Sequence, residues 1–400
     1  MAYNITLHEA SFTDYDGPKV NYSNLSFPES YTIRPRTLLF EKGTEIQEIK
    51  CTAENGQKIF FQTSGGDHSF DIIAAVFYLI TRYEEYLPHT KDMYGRYAHE
   101  NSLAYKEGFL NIPLVNIWLL NFREKLKQVS PALKFADKQF KYIPTYDIDI
   151  AWSYREKGLM RNIAGFIRNP TWERVSTLSG NKSDPYDCYD FLNKLHDRIN
   201  QDPIYFFLVA AKNGKYDKNI LPINKQMQSL IKEHSEIYPL GLHPSWKSND
   251  TVHIFYQELK TLENISNKEI FSSRQHYIKF NLPDTYRHLI NAGITDDYSM
   301  GYGSINGFRA SVASSFLWYD LSLEKITTLR IHPFCFMDAN CFYEEKLSIE
   351  DSYEELLHFY HECKKVNGTF ISIFHNSFLG TAKEFAGWKE LYIKFISQLL

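Results

Sequence analysis

From about residue 135 onward, apolar runs of strand length alternate with segments of helical periodicity, and this alternation limits the possible folds more than any other feature of the chain. It is the pattern of parallel strands joined by crossover helices. The runs fall at 142–147, 204–209, 237–242, 270–273, 294–297, 328–331 and 369–374. Seven such units predict an α/β fold built as an irregular seven-stranded (β/α) barrel or strongly curved sheet. The helical segments carry start and stop chemistry of their own. Asp184 followed by Pro185 is expected to cap and open a helix whose apolar face is Cys188, Phe191, Leu192 and Leu195. Ser348 with Asp351 resembles a capping box, and Gly368 stands where the next helical pattern stops.

Before residue 135 the pattern changes. Short strands expected at 31–40 and 58–63 precede an apolar helical segment at 71–86 and a second one after Pro113, which predicts a small α+β domain. The chain therefore divides into 1–135 and 136–400. Two domains suit a length of 400 residues, because single cores usually stop growing at about 250–300 residues.

Composition narrows the function classes. With 44% hydrophobic and 23% charged residues the chain is an ordinary globular protein. A net charge of −4 gives no basic field for nucleic acid. The 28 Tyr and 29 Phe suit stacking on sugar rings, and suit an aromatic-rich core still better. No apolar run approaches the ~18 residues of a membrane span; the nearest, 72–80, is too short. Residues 1–12 lack the basic start and apolar stretch of a signal peptide. The five cysteines, Cys51, Cys188, Cys335, Cys341 and Cys363, are odd in number and lack CxxC spacing, as expected in a reducing compartment. A cytoplasmic protein is the expectation. No serine sits in a GxSxG elbow, and Gly301, Gly303 and Gly307 do not have dinucleotide-binding spacing.

The reactive side chains collect at the C-terminal ends of the expected strands, the edge where parallel α/β folds build sites from several loops. Asp147 and Asp149 end the first strand, His243 follows the third, Arg274 and His276 follow the fourth, Asp297 ends the fifth and His375 follows the last. Aspartates at i and i+2 of a strand share one face, with Ile148 on the other. Two such carboxylates repel unless a cation, a metal or a retained proton intervenes. A solvated acidic turn or a helix cap would show the same spacing. His243, stiffened by Pro244, is a ligand candidate only in company with the aspartates. Alternation lets Arg274 hold a carboxylate while His276 reaches a metal, and an ordinary surface strand is the competing reading. His375 is a candidate general acid, or a donor to a backbone carbonyl.

This ordered series resembles the polysaccharide deacetylase superfamily, also called the NodB homology domain or carbohydrate esterase family 4, over roughly residues 136–400. Bacterial members with an extra N-terminal domain are the most similar. Thr145-Tyr146-Asp147 matches the start of the family's Thr-Phe-Asp-Asp-Gly motif. The resemblance implies Asp147 as catalytic base and Asp149, shifted by one position, as a metal ligand. His243 matches the first histidine of the second motif, but Lys247 stands where the second belongs. Arg274-Gln275-His276-Tyr277 resembles the Arg-x-Pro-Tyr motif, with histidine in place of proline. That places His276 as the substitute ligand in an Asp149, His243 and His276 site. Asp297 falls near the fourth motif, and His375 resembles the final histidine, a general acid. The implied cofactor is a divalent metal ion, with zinc expected. The implied reaction removes an N-acetyl group from a carbohydrate, Arg274 orienting Asp147 and the Tyr277 backbone N–H stabilising the oxyanion. An amide hydrolase of smaller substrates on the same fold, or a non-catalytic carbohydrate-binding protein, would share these motifs. Oligomeric state is left open.

Overall fold

In the computed structural model the described residues are 4–168, 170–199 and 201–399. Residues 1–3 of the segment read for a leader thus lie outside them. The N-terminal part is mixed α and β. Its strands β1 (Lys19–Tyr22) and β2 (Ser30–Ile33) pair in parallel, and β3 (Thr52–Glu54) and β4 (Gln57–Ile59) form an antiparallel hairpin. Asn55 and Gly56 both take positive φ, 50° and 77°, the turn that matches strand twist. The strand expected at 31–40 ends at Ile33, ahead of Pro35, and Thr37–Phe40 is a 3-10 turn. The strand expected at 58–63 is β4, which ends at Ile59. Helix Ile72–Ile80 is capped by the Asp71 carboxylate on the Ala74 N–H. It stops because Arg82 is left-handed (φ 56°), and a 3-10 turn, Tyr83–Tyr86, takes up the rest of the expected segment. The helix after Pro113 is Leu114–Val129.

The remaining strands are β5 (Lys141–Ile148), β6 (Ile204–Leu208), β7 (Leu240–His243), β8 (Ser272–Ser273), β9 (Asp296–Asp297), β10 (Phe316–Asp320), β11 (Lys325–Ile331), β12 (Phe336–Met337) and β13 (Thr369–His375). They form one nine-stranded sheet in the order β10-β11-β9-β8-β7-β6-β5-β13-β12, parallel except for the β10–β11 hairpin. The seven expected runs all contribute strands, and β10 and β12 are additional. The seven-stranded barrel is therefore corrected to a nine-stranded sheet whose edge strands, β10 and β12, do not pair with each other among the described residues. The sheet is nevertheless strongly curled. Three strand spacings of ~4.8 Å would hold β5 and β8 about 14 Å apart in a flat sheet, yet Arg274, next after β8, donates to Asp147 of β5 at 2.8 Å.

Burial follows from chemistry. β6 is an unbroken apolar run buried on both faces, as an interior parallel strand should be. β11, next in from the edge strand β10, alternates between exposed and buried residues toward its C-terminal end. Two expected helix signals turn out differently. Helix Tyr189–Ile199 begins past Asp184, whose carboxylate instead accepts the backbone N–H groups of Ser153, Tyr154, Arg155 and Tyr186, so it shapes the loop after β5. The stop of helix Ile349–Lys365 is left-handed Asn367 (φ 49°), with the Gly368 N–H returning to the Cys363 carbonyl at 2.8 Å. The Ser348 cap is as expected: its hydroxyl accepts the Asp351 N–H at 3.0 Å.

One continuous apolar core runs from Tyr31 to Ile396 and crosses between the N-terminal part and the sheet. Buried ions cross with it. Glu85 accepts from Arg82 Nε at 2.6 Å and from Arg309 Nη2 at 2.6 Å, and Arg82 also reaches Glu84 at 2.8 Å and the Arg309 carbonyl. Burial opposes ionisation of Glu85, but the two guanidinium groups win and hold its carboxyl down at about 2.

Candidate active site

The C-terminal ends of β13, β5, β7 and β8 surround a cavity of about 570 Å³. Asp147, Asp149, His243, His276, Tyr277 and His375 all line it. Thus six of the eight expected site residues meet in one place. Arg274 lies just beneath them, fully buried, donating Nη1 to Asp147 Oδ1 and to Thr145 Oγ1 at 2.8 Å each and Nε to the Tyr298 carbonyl at 3.0 Å. Asp297 stands apart from the cavity. Its carboxylate accepts the backbone N–H and hydroxyl of Ser299 at 2.9 and 2.8 Å, and burial pushes its pKa up to about 6. Asp297 is not among the residues that line the cavity and sits instead in a local turn near Arg274.

Asp149 is the hub. His243 Nε2 lies 3.1 Å from its Oδ1, His276 Nε2 3.5 Å and His375 Nε2 3.7 Å from its Oδ2. The ligand-type atoms of Asp149, His243 and His276 lie within 4.8 Å of one another. Lys247, at the position of the missing histidine, is exposed in the 3-10 turn Trp246–Asn249 and does not line the cavity. Each imidazole is oriented from behind. His243 Nδ1 donates to the Arg274 carbonyl at 2.6 Å, His276 Nδ1 meets Asp217 Oδ1 at 3.0 Å, and His375 Nδ1 meets Asp338 Oδ1 at 2.6 Å.

These orientations test whether a metal ion fits. With Nδ1 donating to the Arg274 carbonyl, His243 points Nε2 at Asp149 Oδ1, a buried oxygen. Two such atoms 3.1 Å apart repel unless a proton or a cation lies between them. Burial opposes the charge on His276 and His375, but Asp149 with Asp217 raises His276 to about 9, and Asp338 with Asp149 raises His375 to about 10. The donor set of one carboxylate and two imidazoles is that of a hydrolytic metal centre with open positions. A second trio, buried Cys341 with half-buried Glu345 and Glu355, brings ligand-type atoms together. There the Cys341 thiol donates to Glu355 at 3.1 Å, and burial and that carboxylate push the thiol up, so it keeps its proton.

Asp217, Asp338, Tyr94 and Arg96 escaped the sequence reading. Asp338 ends the apolar run 334–337, the same signal that marked Asp147. Asp217 lies in a loop without periodicity. Tyr94 and Arg96 come from the N-terminal part and line the cavity mouth. Arg96 Nη1 donates to the Tyr277 carbonyl at 2.8 Å while its Nε pairs with Asp92 at 2.6 Å. Tyr277 is left-handed (φ 59°), and its ring packs against Tyr94, Tyr216 and Trp246 at centroid distances of 5.3, 5.4 and 5.5 Å. Gly303, also at the mouth, has no room for a side chain, because a Cβ would meet the Arg96 guanidinium and lie 2.9 Å from the Tyr277 carbonyl.

Residues 1–131 match a family described as a family of unknown function, DUF7033. No curated protein matches the sequence. Among solved structures, the chain is similar to a candidate polysaccharide deacetylase from Mycobacterium smegmatis, with 11% identity, 66% of this chain and 87% of that one covered, and a TM-score of 0.43. It is similar to a polysaccharide deacetylase from Bacillus cereus at 10% identity, with 66% and 88% covered and a TM-score of 0.34. For PuuE allantoinase the values are 8%, 65%, 84% and 0.39. Likeness at these levels carries no chemistry, which has to come from the residues themselves.

Proposed function

We propose that the chain is a metal-dependent hydrolase of C–N amide bonds, of the polysaccharide deacetylase kind, that removes an N-acetyl or related acyl group from a sugar. A cytoplasmic precursor of a surface polysaccharide is the substrate class. Residues 136–400 carry the chemistry and residues 1–135 form a companion α+β domain. The observation that carries the reading is the convergence of Asp149, His243 and His276 ligand-type atoms within 4.8 Å of one another beside the Asp147–Arg274 pair. Asp149, His243 and His276 would hold the ion, zinc being the natural match to two imidazoles and a carboxylate. A divalent ion there supplies a Lewis acid for the acyl oxygen and acidifies water.

The chain's own groups do the rest. Asp147 keeps Oδ2 clear of Arg274 and on the cavity side, where it takes the proton of the attacking water; Arg274 holds the carboxylate in place. The Tyr277 backbone N–H is the donor for the developing oxyanion. His375, fixed through Nδ1 by Asp338, protonates the departing nitrogen at Nε2. One C–O bond forms, the C–N bond breaks, and a free amine and a carboxylate leave. The aromatic rings at the mouth suit the apolar face of a sugar.

Elemental analysis of the purified protein should find about one divalent ion per chain, lost in His243→Ala and in His276→Ala. Full metal content in His276→Ala would remove that residue from the ligand set. Acetate release from a panel of N-acetylated sugars, set against small cyclic and linear amides, tests the substrate class. Asp217→Ala, which touches no substrate, should weaken metal affinity by about 10- to 100-fold, because the imidazole of His276 loses the carboxylate that orients it. Unchanged affinity in a metal titration would deny Asp217 that role.

A further inference from the structure

The loop after β5 carries two helices, Leu159–Arg168 and Trp172–Leu178, whose large apolar side chains point into solvent. Met160, Ile167 and Trp172 are 81%, 77% and 84% exposed, and Ile163, Val175 and Leu178 are exposed beside them. Met160, Ile163 and Ile167 follow the i, i+3, i+7 spacing of one helical face, so the exposure is an organised ridge rather than scatter. A soluble surface seldom leaves such a ridge uncovered. The charge around it is equally one-sided. Among residues 155–182, in a chain whose net charge is −4, the exposed charged side chains are all cations, Arg161, Arg168 and Lys182, whereas Arg155 pairs with Asp187 and Lys157, Arg174, Glu156 and Glu173 are half-buried. The crowding is felt locally: burial and the neighbouring Arg161 push Lys157 down to about 8.

We propose that this helical pair docks the protein on an anionic bilayer surface, with the apolar ridge at the boundary of headgroups and acyl chains and the cations on lipid phosphates. An apolar face bordered by Lys and Arg and containing a Trp has the makeup of a helix that lies in the interface. It lies there rather than crossing, since no helix among the described residues is long and apolar enough to span a membrane. A second copy of the chain is the poorer occupant, because a twofold contact would set the same cationic border against itself. The placement is consequential. Arg161 donates to the Lys218 carbonyl at 3.4 Å, and Lys218 lines the cavity, so docking would bring the cavity mouth to the lipid surface.

The test uses the full chain and two vesicle types, phosphatidylcholine alone and phosphatidylcholine mixed with phosphatidylglycerol, in a sedimentation assay. Binding is expected to the mixed vesicles only, and to fall as salt is raised. The double variant Ile167→Glu, Trp172→Glu, at two exposed positions, should bind at least about tenfold more weakly with an unchanged unfolding midpoint. Quenching of tryptophan emission by lipids brominated in the acyl chain should disappear in Trp172→Phe while vesicle binding persists. The proposal is overturned by absence of binding to either vesicle, by equal binding to both, or by undiminished binding of the double variant. It is overturned equally by a dimer that the double variant dissociates. None of these readouts depends on the hydrolase reading.

Discussion

Asp147→Asn is expected to lower turnover of an N-acetylated sugar by about 10²- to 10⁴-fold, the usual contribution of a positioned general base, while the metal content stays that of the parent. The separation is possible because the asparagine keeps an oxygen for Arg274 Nη1, now 2.8 Å from Asp147, and loses only the capacity to take a proton. His375→Ala should give a loss of similar size on an alkyl amide. The two variants then part company on substrates with a better leaving group. An anilide or an aryl ester needs little help from an acid, so His375→Ala should recover much of its rate there and Asp147→Asn should not. Recovery of both, or of neither, would mean that base and acid have been assigned to the wrong side chains.

Glu85→Ala should destabilise the fold by about 3–5 kcal/mol, because it strips two buried guanidinium groups of their shared carboxylate. Arg82 and Arg309 have other partners, Glu84 for the first and the Gly301 carbonyl for the second, but neither offers a replacement charge to both. Denaturant unfolding followed by far-UV circular dichroism measures the loss, and a difference under about 1 kcal/mol, the range of exposed pairs, would show that the network is not the tie between the two parts of the molecule.

Much of the sheet was legible because parallel strands buried on both faces have to be apolar throughout. β5, β6 and β13 fall within a residue or two of their expected limits. The strands that were missed or shortened are those for which that rule fails. β10 is an antiparallel edge strand open to solvent, and β8, β9 and β12 pair over two residues each, too few to leave a pattern. At the site, residues that end an apolar strand were readable as candidates, Asp147, His243 and His375 among them. Their supports were not, since Asp217 and the pair Tyr94 and Arg96 reach the cavity from loops whose path no local pattern encodes. Asp297 also ends a strand, but its carboxylate turns back onto the backbone N–H and hydroxyl of Ser299, two residues on, a local contact that strand pattern does not encode. Asp184 misled because a carboxylate ahead of a proline can serve any cluster of free N–H groups, and the loop after β5 offers three.

The passage of Arg96 over Gly303 to the Tyr277 carbonyl bears on how such a protein can change over generations. The mouth of the cavity is written in two distant stretches of the gene, and neither can drift alone: a side chain at 303 evicts the guanidinium, and loss of the guanidinium frees the loop that presents Tyr277. Descendants that alter substrate choice should therefore change positions 92–96 and 277–303 together, and a chimera that borrows its first 131 residues from a distant relative should recover function only when the borrowed arginine and the resident glycine are a matched pair.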